Sequence, residues 1–259
     1  MEDLSRMKDL AEKAATEAGR YALRHIGKLK EVSRKTGIND LVTDVDKMSE
    51  KIIIDRIYKE FPHHSILAEE SGEHASSGVF RWIIDPLDGT TNYAHGFPVF
   101  CISIGVEEDG AVKIGVVYDP SRDELFTAEE GKGAFLDGKR IKVSETQVVA
   151  NSLIATGFAY DVAGKIANIE SFKTMLNNAQ AVRRAGSAAI DLCYVACGRF
   201  DGFWEMGLNP WDTAAGQLIV KEAGGVVTKL DGEPFEIYQK KILATNGRIH
   251  GEMQNLLGQ

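Results

Sequence analysis

The chain has 259 residues, 44% of them hydrophobic and 26% charged, which is ample for a sizeable core without disulfide or metal staples and excludes intrinsic disorder as the main state. Its 38 Asp and Glu against 30 Lys and Arg leave a formal net charge of -8, so the summed field repels polyanions and excludes a general electrostatic affinity for nucleic acid or anionic membrane. An anionic substrate would need something cationic to neutralise its site.

From Asp3 to about Lys28, apolar residues recur at three- and four-residue intervals (Leu4, Met7, Leu10, Ala14, Ala18, Ala22, Ile26), which predicts an amphipathic helix ended by Gly27. A second helix is expected from Thr43 to about Glu60, where Thr43-Asp-Val-Asp46 fits a capping box. After Phe61-Pro62 the pattern changes to short apolar runs at Ile66 to Ala68, Val79 to Ile84, Val99 to Val106, Ala111 to Tyr118 and Glu124 to Ala128. Asp109-Gly110 and Asp137-Gly138 are hairpin signals, the second between Ala134 to Leu136 and Ile141 to Val143. Beyond about Ala150 strands alternate with helices: Leu153 to Thr156, a helix near Val162 to Asn177, Ala181 to Arg184, a helix opened by Ser187, Gly202 to Glu205, a helix from Pro210 to Ala223, then Val226 to Thr228 and Ile242 to Thr245. The expected division is an α+β half over 1–150, with a mostly antiparallel sheet, and a smaller α/β half over 151–259. No Pro- or Ser-rich spacer separates them, so they are expected to pack as one unit around a cleft.

Cys101, Cys193 and Cys197 lack CxxC spacing and read as buried reduced thiols. The opening residues hold acids and no apolar core, and no run reaches the roughly 18 apolar residues of a membrane span, so the expected compartment is the cytoplasm.

Three acidic clusters sit beside expected strand ends or helix starts: Glu69-Glu70, Asp85-Pro-Leu-Asp88-Gly-Thr-Thr, and Trp211-Asp212. Asp85 and Asp88 are expected to leave the sheet edge into a loop, with Pro86 fixing direction and Gly89 permitting close backbone approach before a short helix whose free amides suit a phosphate. Taken singly, each cluster has an ordinary alternative: a solvated turn, an Asx-capped turn, or a first-turn helix acid. Together, so many carboxylates repel one another unless cations or protons intervene, and oxygen-only ligands favour Mg²⁺ or another hard divalent ion over zinc. Two such ions about 3.5 to 4 Å apart suit phosphate ester hydrolysis.

Asp40-Leu-Val-Thr-Asp-Val-Asp46, Ala68-Glu-Glu-Ser71, Trp82-Ile-Ile-Asp-Pro-Leu-Asp-Gly-Thr-Thr-Asn92, and Trp211-Asp212 with Glu222-Ala-Gly-Gly225 resemble, in order and spacing, the signatures of the inositol monophosphatase family. Arg183-Arg-Ala-Gly-Ser-Ala-Ala189, Gly198-Arg199 and Asn209-Pro-Trp-Asp212 are most similar to its bacterial branch. The resemblance implies a layered αβαβα sandwich and a phosphatase acting on myo-inositol 1-phosphate and similar polyol monophosphates with two or three Mg²⁺ ions. It places Glu69, Asp85 and the Leu87 carbonyl on the first ion, and Asp85, Asp88 and Asp212 on the second. Glu69 would also share a third, weaker ion, with Glu70, counted among the catalytic residues, in the surrounding shell or at that weaker ion. Asp46 and Thr90 match the pair that orients the attacking water. The amides of Gly89 and Thr90 would hold the phosphoryl group, while Gly186, Ser187, Ala188 and Glu205 would contact the polyol, and Lys35 matches a loop lysine near the metals. Lithium inhibition and a homodimer are further implications.

Arg183, Arg184 and Arg199 suit either a second phosphate, which would move the substrate towards fructose 1,6-bisphosphate, or a dimer contact or the surface. Asp44 is read as a helix N-terminal acid. His63, His64, His74 and His95 lack ligand spacing and are assigned no chemistry. A phosphatase for 3′-phosphoadenosine 5′-phosphate is disfavoured, because no adenine-stacking motif is visible. A bacterial relative also serves as a protein partner in transcription antitermination, and the acidic charge is compatible with such protein contact.

Overall fold

Asp3 starts the first helix by accepting the Ser5 amide at 2.9 Å, and Thr43 starts the second through the expected capping box with Asp46. The computed structural model describes residues 3–28, 32–34, 41–158 and 162–258. Its elements in chain order are α1 (Leu4–His25), β1 (Val32–Arg34), β2 (Leu41–Thr43), α2 (Asp44–Glu60), β3 (Ser65–Ala68), β4 (Gly72–His74), β5 (Phe80–Asp88), α3 (Thr90–Ala94), β6 (Cys101–Glu108), β7 (Ala111–Asp119), β8 (Glu124–Glu129), β9 (Gly133–Leu136) and β10 (Lys139–Arg140). A 3-10 turn at Val149–Asn151 leads to β11 (Leu153–Thr156), α4 (Val162–Asn178), β12 (Ala181–Arg183), α5 (Ala188–Ala196), β13 (Gly202–Met206), α6 (Pro210–Glu222), β14 (Val226–Thr228), β15 (Lys241–Thr245) and α7 (His250–Leu257). Among the described helices, none is long and apolar enough to cross a membrane.

Period-two alternation sends neighbouring strand residues to opposite layers. In the eight-stranded sheet, ordered β10-β9-β8-β7-β6-β5-β3-β4, Trp82 and Ile84 face α1 and α2, where Met7, Leu10, Ile53 and Ile57 lie. Ile83, Val117 and Phe126 face the other way, onto α5 and α6. Those helices also cover Phe203, Ile242 and Ala244 of the five-stranded sheet, ordered β12-β11-β13-β15-β14. Its opposite face, with Ile154, Trp204 and Leu243, carries Met175 of α4 and Met253 and Leu257 of α7. The result is the expected αβαβα sandwich. Each fully buried large apolar side chain contributes about 1.5–3 kcal/mol.

One detail fixes how deeply α6 sits. Gly105 of β6 and Gly115 of β7 are directly paired, and together they open a window in the sheet. A Cβ at Gly115 would stand 2.6 Å from the Ala215 carbonyl oxygen, and one at Gly105 would stand 2.8 Å from the Ala214 Cβ. The two glycines therefore let the start of α6 press against the sheet backbone.

Several expectations need correction. The strand expected to stop at Ile84 runs on to Asp88 across a register shift between Asp85 and Asp88, because Pro86 has no amide to donate and only the regular ladder is interrupted. β5 is also interior, between β6 and β3, so the acids leave the end of a central strand and not a sheet edge. The hairpin partner of β9 is Lys139–Arg140, while Ile141 to Val143 runs on as coil, with the Val143 amide bonded to the Ala223 carbonyl. The sheet is antiparallel as expected except at β3–β5. β4 and α7 were not anticipated. Asp109-Gly110 and Asp137-Gly138 do form tight turns, with φ of 50° and 84° and of 49° and 74°. Cys101 and Cys193 are buried and Cys197 half-buried, all three as free thiols.

Candidate active site

Strand register brings the first two acids together. β3 and β5 are parallel with Ala68 opposite Ile84, so the next residues, Glu69 and Asp85, emerge side by side. The Glu69 amide donates to the Ile84 carbonyl at 3.1 Å, and the Leu87 amide donates back to Asp85 Oδ1 at 3.0 Å. Gly89, with φ of +94°, then turns the chain into α3; a Cβ there would lie 2.8 Å from the Val99 carbonyl. Asp88 is clasped to the start of α5, its Oδ2 accepting from the Ser187 hydroxyl at 2.7 Å and the Ala189 amide at 2.8 Å.

The remaining acids are placed by helix starts. Asp46 and Asp212 both occupy the third position of a capping box, giving Oδ2 to the amides of Thr43 (2.9 Å) and Asn209 (2.7 Å). Asp46 Oδ1 is left to accept from the Thr90 hydroxyl at 2.9 Å, and Asp212 lines the same cleft as Glu69, Asp85 and Asp88. For both residues the helix-start role and the place at the site therefore hold together.

The cleft is also lined by Leu87, Gly89, Thr90, Gly186, Ser187, Ala188 and Glu205, so most of the expected site residues meet there. Arg184 is the single Lys, Arg or His among its described lining residues, against five acids. Burial, then the charges of Glu69, Asp88 and Asp212, hold the Asp85 carboxyl well above the usual carboxylate range. Burial pushes Asp88 up to about 6 despite its Ser187 and Ala189 hydrogen bonds. Asp212 is raised by burial and by Asp88 and Glu69; Glu205 by burial and by Asp191, with Arg184 opposing. Burial likewise pushes Asp46 up to about 6, against the Thr43 and Thr90 hydroxyls. Among the described residues, no group of three or more His, Cys, Asp or Glu side chains stands close enough together as placed to hold a metal ion. Asp85, Asp88 and Asp212 are each held by backbone amides around an open cleft.

Other expected residues lie elsewhere. Arg199 forms a two-pronged ion pair with Glu124 (2.6 and 2.5 Å) over the Tyr194 ring, and exposed Arg183 donates to the Val182 carbonyl; neither lines the cleft. Glu70 is half-buried in the turn beside Glu69, and its amide donates to Glu50. Lys35 lies outside the described residues. Asp44 sits at the first position of α2, with a buried Oδ1 lacking a hydrogen-bond partner among the described residues. His64 is buried and takes the Trp82 indole N–H at 3.0 Å, a core role. Gly157, Phe158, Gly207 and Leu208 also line the cleft and were not foreseen; Gly157 matters because a Cβ there would overlap the Glu205 carboxylate.

Curated relatives are similar to the chain over nearly its whole length. An inositol-1-monophosphatase of Synechocystis is 47% identical over 257 residues, covering 98% of this chain and 90% of the relative. A putative Nus factor SuhB of Neisseria meningitidis is 42% identical (95% of each chain), and a fructose-1,6-bisphosphatase/inositol-1-monophosphatase of Thermotoga maritima is 40% identical (97% and 95%). Among solved structures, the extragenic suppressor protein suhB of Bartonella henselae superposes with a TM-score of 0.93 at 40% identity, covering 97% of this chain and 98% of that one. With the model of the inositol monophosphatase family matching residues 3–258, the acid-lined cleft and the layered fold have a common explanation: the chain belongs to that family.

Proposed function

We propose that the protein is a Mg²⁺-dependent phosphatase hydrolysing myo-inositol 1-phosphate and related small sugar or polyol monophosphates. The observation that carries this reading is a cleft whose described lining has five acids and one cation, with Thr90 on its wall hydrogen-bonded to Asp46. The donor set fits a hard divalent cation, being all oxygen, largely buried and self-repelling. Glu69, Asp85 and the Leu87 carbonyl would hold one Mg²⁺; Asp85, Asp88 and Asp212 a second; and Glu69 would share a third, weaker one. When bound, these ions neutralise the acids and lower the pKa of water.

The chain's own residues would do the rest. The Thr90 hydroxyl, donating to Asp46 Oδ1 at 2.9 Å, would turn its lone pairs towards an attacking water, and as that water attacks its proton would pass to Thr90 while the Thr90 proton moves on to Asp46. Gly89 and Thr90 amides would hold the phosphoryl oxygens as charge redistributes. Glu205, with Gly186, Ser187 and Ala188, would receive the polyol hydroxyls. Thr90→Ala is expected to lower kcat by roughly 10²–10⁴-fold with little change in KM. Steady-state kinetics at saturating Mg²⁺ check this, and an unchanged kcat would remove the pair from the reaction.

A substrate panel assayed with and without Mg²⁺ tests the whole reading; phosphate release indifferent to the ion, or none from polyol phosphates, would overturn it. Arg184, the one cation among the described lining residues of the cleft, favours a second reading in which fructose 1,6-bisphosphate is also cleaved. In that case Arg184→Ala would depress kcat/KM for the bisphosphate selectively. We place the enzyme in the cytoplasm as a lithium-sensitive homodimer. A protein partner in transcription antitermination is the non-enzymatic alternative, favoured by a Neisseria relative named a putative Nus factor, and such a role would outlast loss of the catalytic acids.

A further inference from the structure

Glu50 is a charged side chain inside the protein that neither helix capping nor the proposed chemistry uses. It lies on α2 one turn beyond Asp46 and is 4% exposed. Its Oε2 accepts the Glu70 amide at 2.9 Å, across twenty residues of chain. That amide belongs to the short turn between β3 and β4, in which Ala68 pairs with Gly72 and which carries Glu69 into the cleft. The turn is held from two outside directions: the Glu69 amide is tied to the Ile84 carbonyl of β5, and the Glu70 amide to Glu50 of α2. The turn carries a side chain, that of Glu69, whose charge acts against the neighbouring Asp85, so what the turn is tied to bears on where that side chain stands. A buried side-chain oxygen accepting a backbone amide is costly to remove, because the amide left behind has no partner in its place.

We propose that Glu50 is a positioning residue that fixes the Glu69–Glu70 turn and thereby sets where the Glu69 carboxylate stands relative to Asp85. α2 would then act as a ruler with two marks, Asp46 reaching Thr90 and Glu50 reaching the turn. The inference rests on the metal-binding reading above and deepens it, since Glu69 is the ligand whose placement it explains. Groups that support metal ligands are typically worth 10–100-fold in metal affinity.

The test is Mn²⁺ binding, measured by calorimetry on full-length wild type and on Glu50→Gln, Glu50→Asp and Glu50→Ala, alongside circular dichroism and the Mg²⁺ concentration for half-maximal phosphatase activity. Glu50→Gln keeps an acceptor oxygen at the same reach and is expected to bind Mn²⁺ within about threefold of wild type, below the range just cited. Glu50→Asp keeps the charge but withdraws the acceptor by one methylene. It is expected to bind roughly 10–100-fold more weakly, as is Glu50→Ala, with a matching rise in the Mg²⁺ requirement. Should Glu50→Ala fail to fold, the Gln–Asp contrast decides alone. Wild-type affinity in Glu50→Asp, or a loss in Glu50→Gln as deep as in Glu50→Asp, overturns the positioning role while leaving the metal reading intact. No Mn²⁺ binding by wild type itself overturns the metal reading and this inference with it.

Discussion

Asp85→Asn is expected to lose phosphatase turnover on the order of 10²–10³-fold or more, the scale on which removing one oriented charge-stabilising group acts, and yet to melt higher than wild type in EDTA. Both effects have one cause. Asp85 is 2% exposed and lies among Glu69, Asp88 and Asp212, whose charges with burial raise its proton affinity. The same direction holds for Asp88 and Asp212. An acid whose folded pKa is raised binds protons more tightly in the native state than in the unfolded one, so stability falls as pH rises from the ordinary carboxylate range through the folded values, about 6 for Asp88. Metal-free wild type should therefore lose stability across that window, with Asp85→Asn losing less. Thermal melts in EDTA at several pH values, paired with phosphate-release assays, check it. A variant that keeps wild-type turnover, or melts lower without metal, would show that these acids do not form a strained, charge-bearing cluster.

Gly115→Ala is expected to cost about 1–3 kcal/mol, the usual penalty of overpacking, and to lower kcat as well. Its new Cβ would stand 2.6 Å from the Ala215 carbonyl oxygen and 3.1 Å from the Ala215 Cα, backbone atoms that cannot rotate aside. Relief requires α6 to lift from the sheet, and Asp212 lies three residues before Ala215 on that helix. A displacement of about 1 Å at a reacting group can cost on the order of 10²-fold in rate. Gly251→Ala in α7 is the control: a Cβ there meets nothing within 4 Å, and alanine favours the helix. Differential scanning calorimetry and kinetics on the two variants should separate sharply. Similar behaviour of the two would mean that the glycine window does not set the depth of α6.

Much of this was legible because the informative signals are local. The Thr43–Asp46 spacing announces a capping box, Ser187 opens α5, and Asp109-Gly110 turns a hairpin, each decided within a few residues. The acids of the cleft could be named from their motifs, since each sits at the end of a strand or the start of a helix. What escaped depends on partners distant in the chain. The continuation of β5 to Asp88 is set by pairing with β6, and β4 is three residues that exist as a strand only through β3. α7 does carry buried His250, Met253 and Leu257, but three positions in eight residues are a thin periodic signal. Arg199 and Arg184 look alike as sequence; only the presence of Glu124 beside the first separates them. Glu50 follows Asp46 by four residues, which places it on the same helix face, but nothing in that spacing names the Glu70 amide it meets.

The cleft draws its two walls from different sheets. Glu69, Asp85 and Asp88 come from the eight-stranded layer, whereas Glu205 follows from β13, and Gly157 and Arg184 come directly after β11 and β12 of the five-stranded one. Under the proposed roles, bond cleavage rests on the larger slab together with Asp46 of α2 and Asp212 of α6, and recognition of the departing alcohol on the smaller slab together with the start of α5. Substitutions on the smaller slab could then retune which alcohol is accepted while the hydrolytic apparatus stays as it is. Such a division offers a physical route by which a single architecture diversifies its diet without reinventing its chemistry.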